Sequence, residues 1–185
     1  MPKVRIIIRD QTSGIIEHNF IETIRSELAK QLWGFEYEEL FPNSEEKIVL
    51  DHGKLNKNVC DIFILFVDDK FSNQIAEPEN PDVRFSWTFF ASDECPAIIL
   101  YNYWNWMNAH EPLNIGRELY RRYLIWHEMG HAHGLSHIPL TALKDGMQLP
   151  VMFQMTNQPK DVIDRFKVVG VPTKSEVEEL NKLKL

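Results

Sequence analysis

The period of the apolar positions changes along this chain, and each change marks an element. Val4 to Ile8 is short, apolar and β-branched, and predicts a strand. Phe20, Ile24, Leu28 and Leu32 recur at helical spacing, so about Glu17 to Leu32 predicts an amphipathic helix. Lys47 to Leu50 predicts a short strand, and the near-continuous apolar run from Asp61 to Val67 predicts a strand covered on both faces. The polar stretch from Asp68 to Asp82, with Pro78 and Pro81, predicts a loop. Phe85 to Ala91 and Ala97 to Tyr101 predict two further strands. Asn114 stands where it could cap a helix beginning at Ile115 and running through Leu119, Tyr123 and Trp126 to His133. Gly134 should stop that helix, because glycine readily takes the left-handed conformation at a helix end. An irregular segment follows from Pro139 to Lys160, and Thr173 with Glu176 forms a capping box that opens a final helix to about Lys184.

Strand, helix, several strands, long helix, irregular segment, helix is the order of an α+β (α/β-like) domain with the long helix packed on its sheet. At 185 residues, 44% hydrophobic and 25% charged, the chain is expected to be one globular domain that buries its core without covalent staples. A net charge of −7 without a cluster of Lys and Arg argues against nucleic acid as a partner. No apolar run approaches membrane-spanning length, so no membrane partner is expected. Met1 to Asp10 has none of the features of a signal peptide, and a cytoplasmic location is the expectation. Cys60 adjoins the apolar run at Ile62 and reads as a buried core thiol; a Cys60–Cys95 disulfide is not expected.

The chemistry is concentrated in His127-Glu128-Met129-Gly130-His131-Ala132-His133-Gly134-Leu135-Ser136-His137. His127 and His131 are four residues apart, so on a helix both imidazoles project toward one point. Glu128 lies beside that face, where it serves as a general base toward metal-activated water rather than as a ligand. Beyond Gly134 the chain is free to turn, and His137 can return to the same point as a third ligand. Three imidazoles leave a fourth position open, the pattern of one catalytic Zn2+. His133 is two residues past His131 and points to the other side of the helix, so it is not expected to ligate.

The segment from His127 to His137 resembles the zinc signature of the metzincin metallopeptidases at every defining position. Members of that clan have a methionine-containing turn beneath the metal. Pro150-Val151-Met152-Phe153-Gln154 looks like that turn, with Met152 as its methionine and Met147 and Met155 as alternatives. Tyr120 to Tyr123, and Pro150 to Met152 with Gln154 and Thr156, are also similar to a poorly characterised metzincin-like family of bacterial and viral proteins. The match departs from the clan at Gln154, where many members have tyrosine, and at Ile138 after the third histidine. No propeptide with an inhibitory cysteine is evident.

The resemblance implies a twisted mixed five-stranded sheet over a cleft, a long zinc-binding helix below it and a small C-terminal lobe. Residues 1–185 would then be one catalytic domain, with sheet and active-site helix in 1–134 and the methionine turn and final helix in 135–185. It implies a zinc-dependent metalloendopeptidase acting on a peptide or protein substrate that pairs with an edge strand. By chain order Arg84 to Ala91 is that strand, and residues around Gln148 to Met155 would wall the pocket beyond the scissile bond. Two other readings use the same residues: a zinc-binding interaction module or self-blocked enzyme with little turnover, and a zinc amidase acting on a non-protein amide. Retention of Glu128 argues against the first, since a structural site needs no base.

Overall fold

Alternating apolar residues of parallel strands supply both faces of a sheet. In the computed structural model, which describes residues 1–12, 19–41, 60–75, 85–93, 95–156 and 158–183, that sheet is mixed and has five strands. They are β1 (Lys3–Asp10), β2 (Glu36–Glu39), β3 (Ile62–Val67), β4 (Trp87–Phe89) and β5 (Ala97–Asn102), in the order β2-β1-β3-β5-β4. All neighbours pair in parallel except β4, which runs antiparallel to β5 at the sheet edge. Six α-helices accompany them among the described residues: α1 (Phe20–Leu28), α2 (Asp69–Ile75), α3 (Tyr103–Asn108), α4 (Arg117–Ala132), α5 (Lys160–Ile163) and α6 (Lys174–Leu183). The fold is therefore α+β with a mixed sheet.

Every residue of β3 is buried, as its unbroken apolar run requires of a central strand. Ile62, Ile64 and Phe66 join Ile6, Ile8, Ile99 and Tyr101 in the main core, which α1 and α4 close. Phe63, Leu65 and Val67 turn to the opposite face, where Ile7, Leu100 and Cys60 form a smaller cluster with Phe71 of α2 against it. Each such side chain contributes roughly 1.5–3 kcal/mol by leaving water. Cys60 is buried, and Cys60 and Cys95 are both free thiols. No helix among the described residues is long and apolar enough to cross a membrane.

β2, α2 and α3 depart from the sequence pattern, each for an identifiable reason. β2 reads Glu-Tyr-Glu-Glu, too polar to signal a strand, yet it pairs with β1 at the sheet edge. Two of its three acids face cations, Glu39 with Arg25 at 2.7 Å and Glu36 with Lys3 at 3.7 Å. The polar stretch expected to be a loop begins with α2, started by Asp68, whose carboxylate accepts from the Phe71 amide at 2.9 Å. α3 follows β5 without a loop because Asn102 ends the strand and caps the helix, accepting from Trp104 N (2.8 Å) and Asn105 N (3.2 Å). The expected strand at Lys47 to Leu50 lies outside the described residues.

The long helix is α4, and its start differs from expectation. It begins at Arg117 after Gly116, not at Ile115 after Asn114. Asn114 takes φ +52° and donates its amide to Glu111 O at 3.0 Å, so it closes the preceding turn. Asparagine is one of the few residues that tolerates that conformation. The end of α4 is where the sequence put it. Gly134 has φ +95°, its amide donates to His131 O (2.8 Å), and Leu135 N donates to Gly130 O (3.0 Å). This pair of bonds is a Schellman turn, and it reverses the chain immediately after the helix. At the other end of the C-terminal segment α6 is opened by the capping box, with Glu176 Oε2 accepting from Thr173 N at 2.7 Å and from Thr173 Oγ1 at 2.8 Å.

Candidate metal centre

α4 carries a stripe of Leu124, His127, Glu128 and His131 toward β4, and the space between them is a cleft of about 520 Å³. His127 and His131 project one helical turn apart. The Schellman turn at Gly134 redirects the chain so that His137 reaches the same point. His131 Nε2 lies 3.0 Å from His137 Nε2, which lies 3.2 Å from His127 Nε2. The ligand atoms of the three all fall within 4.8 Å of one another.

The other ring nitrogens settle what these atoms can do. His127 Nδ1 lies 2.5 Å from Val151 O, and His131 Nδ1 lies 2.7 Å from Leu135 O. A carbonyl only accepts, so both rings carry their proton on Nδ1 and present an unprotonated Nε2 to the centre. At most one proton, on His137, can lie among three facing lone pairs, and that arrangement is repulsive without a cation. A tetrahedral ion with bonds of about 2.0–2.1 Å would separate its nitrogens by roughly 3.3 Å, a few tenths of an ångström more than the gaps present. The donor set therefore fits zinc, with imidazole ligands and outer carbonyls that fix the tautomers. Burial reinforces this: it is the main cause lowering the pKa of all three histidines, and it takes His127 down to about 3. All three rings are thus neutral and ready to ligate at pH 7.

Glu128 is buried beside the trio, and its Oε2 accepts from Thr88 Oγ1 of β4 at 2.6 Å. Burial raises its pKa to about 7, against the opposing effect of the Thr88 hydrogen bond. A carboxyl poised there exchanges protons readily near neutrality.

The turn at Met152 lies beneath the centre and touches it through backbone and side chain. Val151 O holds His127, and Met152 O accepts from Ile138 N at 2.9 Å, next to His137. Met152 is buried, and a Cβ built on Gly130 would stand 2.3 Å from its sulfur. The thioether therefore packs on the helix backbone between Glu128 and His131. Glu176 pins the turn from the other side, its Oε1 accepting from Met152 N at 2.7 Å. The alternatives lie elsewhere: Met147 receives the Lys144 amide on its sulfur, and Met155 is buried with its amide on Tyr123 Oη.

His133 points away from the trio. Its ring stacks on Phe35 at 4.0 Å, and its Nε2 meets Tyr37 Oη at 2.8 Å, against β2. The residues that sequence reasoning missed are the supporting ones: Thr88, Gly130, and the carbonyls of Leu135 and Val151. Gly130 alone left a trace, as a helix-interior glycine in a position that propensity disfavours.

The family described as "Protein of unknown function (DUF3152)" matches residues 64–174, which contain the whole centre. No curated protein matches the chain. Among solved structures, archaemetzincin from Methanopyrus kandleri aligns over 100% of this chain and 96% of its own, with 15% identity and a TM-score of 0.46. At that level of similarity neither residue roles nor activity carry across.

Proposed function

This chain belongs to the DUF3152 family, and we propose that it is a zinc-dependent endopeptidase of the metzincin type. The observation that carries the reading is the set of three Nε2 atoms facing one another in an open cleft, with a buried carboxyl beside them. His127, His131 and His137 would hold the ion, leaving the cleft side free for a reactant. Zinc bound there supplies Lewis acidity, polarising an amide carbonyl and acidifying water.

The remaining work falls to the chain itself. Glu128 Oε accepts the proton of the attacking water and then delivers it to the nitrogen of the leaving amine, so one carboxyl serves both halves of the reaction. Thr88 Oγ1–H holds that carboxylate in place from β4. Val151 O and Leu135 O keep His127 and His131 in the ligating tautomer. β4 is the last strand of the sheet and lines the same cleft as the trio, so an extended peptide could add to its outer edge. The occupant of the cleft is thus a peptide or protein; neither nucleic acid nor membrane suits its lining, in which, among the described residues, Glu128 is the one carboxylate and there is no Lys or Arg. Free Cys60 and Cys95 suit a reducing compartment such as the cytoplasm.

The test is digestion of a diverse peptide library by the zinc-loaded chain, read by mass spectrometry with and without chelator. Chelator-sensitive cleavage within peptides is the expected result. A stoichiometrically loaded protein that cleaves nothing would replace this reading with that of a binding module.

A further inference from the structure

The cleft continues past the histidines along α4 toward its N-terminal half, and its far end is polar. There Asn105 of α3 lines the space although only 1% of the residue is exposed. Its Oδ1 is doubly occupied, accepting from Tyr120 Oη (3.2 Å) and Ser86 Oγ (3.3 Å). Among the described residues its Nδ2 has no hydrogen-bond partner, which makes it the donor this residue has to offer in the cleft it lines. Thr156 Oγ1 lines the same end and lies 3.0 Å from Tyr120 Oη. A nearly buried amide with unmet donors is destabilising, and a ligand carrying an acceptor would relieve that cost.

We propose that this end of the cleft is a specificity pocket for a carboxamide side chain, glutamine before asparagine, on the substrate residue flanking the scissile bond. The inference rests on the peptidase reading. A carboxamide brings an acceptor for Asn105 Nδ2 and donors for the lone pairs of Thr156 and Ser86, so both ends of the ligand are matched. Among the described residues of the lining a carboxylate would find no Lys or Arg, with Glu128 as its acidic neighbour, and a Lys or Arg head would find no carboxylate at the far end. Leu124 and Trp87 give the stem of the side chain apolar walls. Length favours glutamine. Tyr120 is seven residues from His127, about 10 Å along the helix, and one backbone step of about 3.8 Å plus a side chain of about 5 Å spans most of that.

Peptides identical except at the residues flanking the cut, with Gln, Asn, Glu, Lys or the near-isosteric Met, would be digested by the zinc-loaded chain. Gln at one flanking position should raise kcat/KM at least tenfold over Met, and Asn less. Thr156→Val, which keeps the shape of the side chain, should shrink the Gln/Met ratio severalfold, and so should Asn105→Leu if it folds. Cleavage with Met equal to or above Gln at both positions overturns the pocket and leaves the peptidase reading standing. A chain that cleaves nothing overturns the peptidase reading, and the pocket is then judged by binding alone. In metal-free protein, N-acetylglutaminamide should shift the Asn105 side-chain amide resonances in a 15N spectrum and N-acetylmethioninamide should not. Equal responses, or none, overturn it.

Discussion

Replacing Thr88 with valine removes one hydroxyl and keeps the shape, and its consequence should appear 40 positions away as a change in the acidity of Glu128. The hydroxyl donates to Glu128 Oε2 at 2.6 Å, a short bond to a charged acceptor in a buried place. Such a bond stabilises the ionised carboxylate by roughly 2 kcal/mol. It is the influence that lowers this pKa against burial, which raises it. Its loss leaves burial unopposed, so the pKa moves up, by about 1.5 units at 1.36 kcal/mol per unit. From a starting value of about 7, the ionised fraction at pH 7 falls about fifteenfold, and it recovers above pH 9. A carbon-13 titration of the Glu128 carboxyl in metal-free wild-type and Thr88→Val protein measures the shift directly. A bound cation lowers the pKa in both proteins, so the acid limb of the kcat/KM profile should move in the same direction. An unchanged titration in a folded variant, or an activity loss equal at every pH, would refute the coupling of β4 to the base.

Glu128→Gln should retain zinc while turnover falls by orders of magnitude, because shape persists and the base does not. The same change should stabilise the metal-free protein above pH 7. With its pKa raised from 4.5 to about 7, Glu128 favours folding below 4.5 and loses that contribution as pH rises through 7. The gain should be on the order of 3 kcal/mol at pH 8 and absent at pH 4; denaturant unfolding at both values decides it. Gly130→Ala puts a Cβ 2.3 Å from Met152 Sδ and 3.1 Å from Trp33 Cζ2, and should cost about 1–3 kcal/mol. Met152→Ala should then cost less in the Gly130→Ala background than in wild type, and additive losses would contradict the contact. His137→Ala should lose zinc affinity severely, whereas His133→Ala, which disturbs the Phe35 and Tyr37 contacts away from the trio, should keep the metal. The reverse order, by zinc stoichiometry on folded variants, would break the site at its third ligand.

The grouping of the three histidines, with Glu128 beside them and the turn that unites them, was legible in the sequence because it obeys short-range rules. His127, Glu128 and His131 share a helical face by their spacing, and Gly134 marks the reversal because few residues reach φ +95°. The central strands were legible for a similar reason, since a run as apolar as Ile62–Val67 has nowhere to go but the inside of a sheet. Polar elements were not. β2 exists because β1 offers it an edge and Arg25 and Lys3 pair with two of its three acids, none of which its own four residues reveal. α2 and α3 depend on single caps, Asp68 and Asn102, that periodicity does not weigh.

The surroundings of the site were decided by the tertiary structure alone. Thr88 meets Glu128 across 40 positions, Val151 meets His127 across 24, and Asn105 lines a cleft built from four segments of chain. Nothing local distinguishes these residues from any other threonine, carbonyl or asparagine. Periodicity and spacing report which side chains share a face, and so they reveal the atoms that would bind a metal. They carry no information about which distant backbone or hydroxyl comes to rest against those atoms. That depends on how the sheet, α4 and the Met152 turn pack, and it is there that the proton positions of the histidines, the acidity of Glu128 and the polarity of the cleft are set.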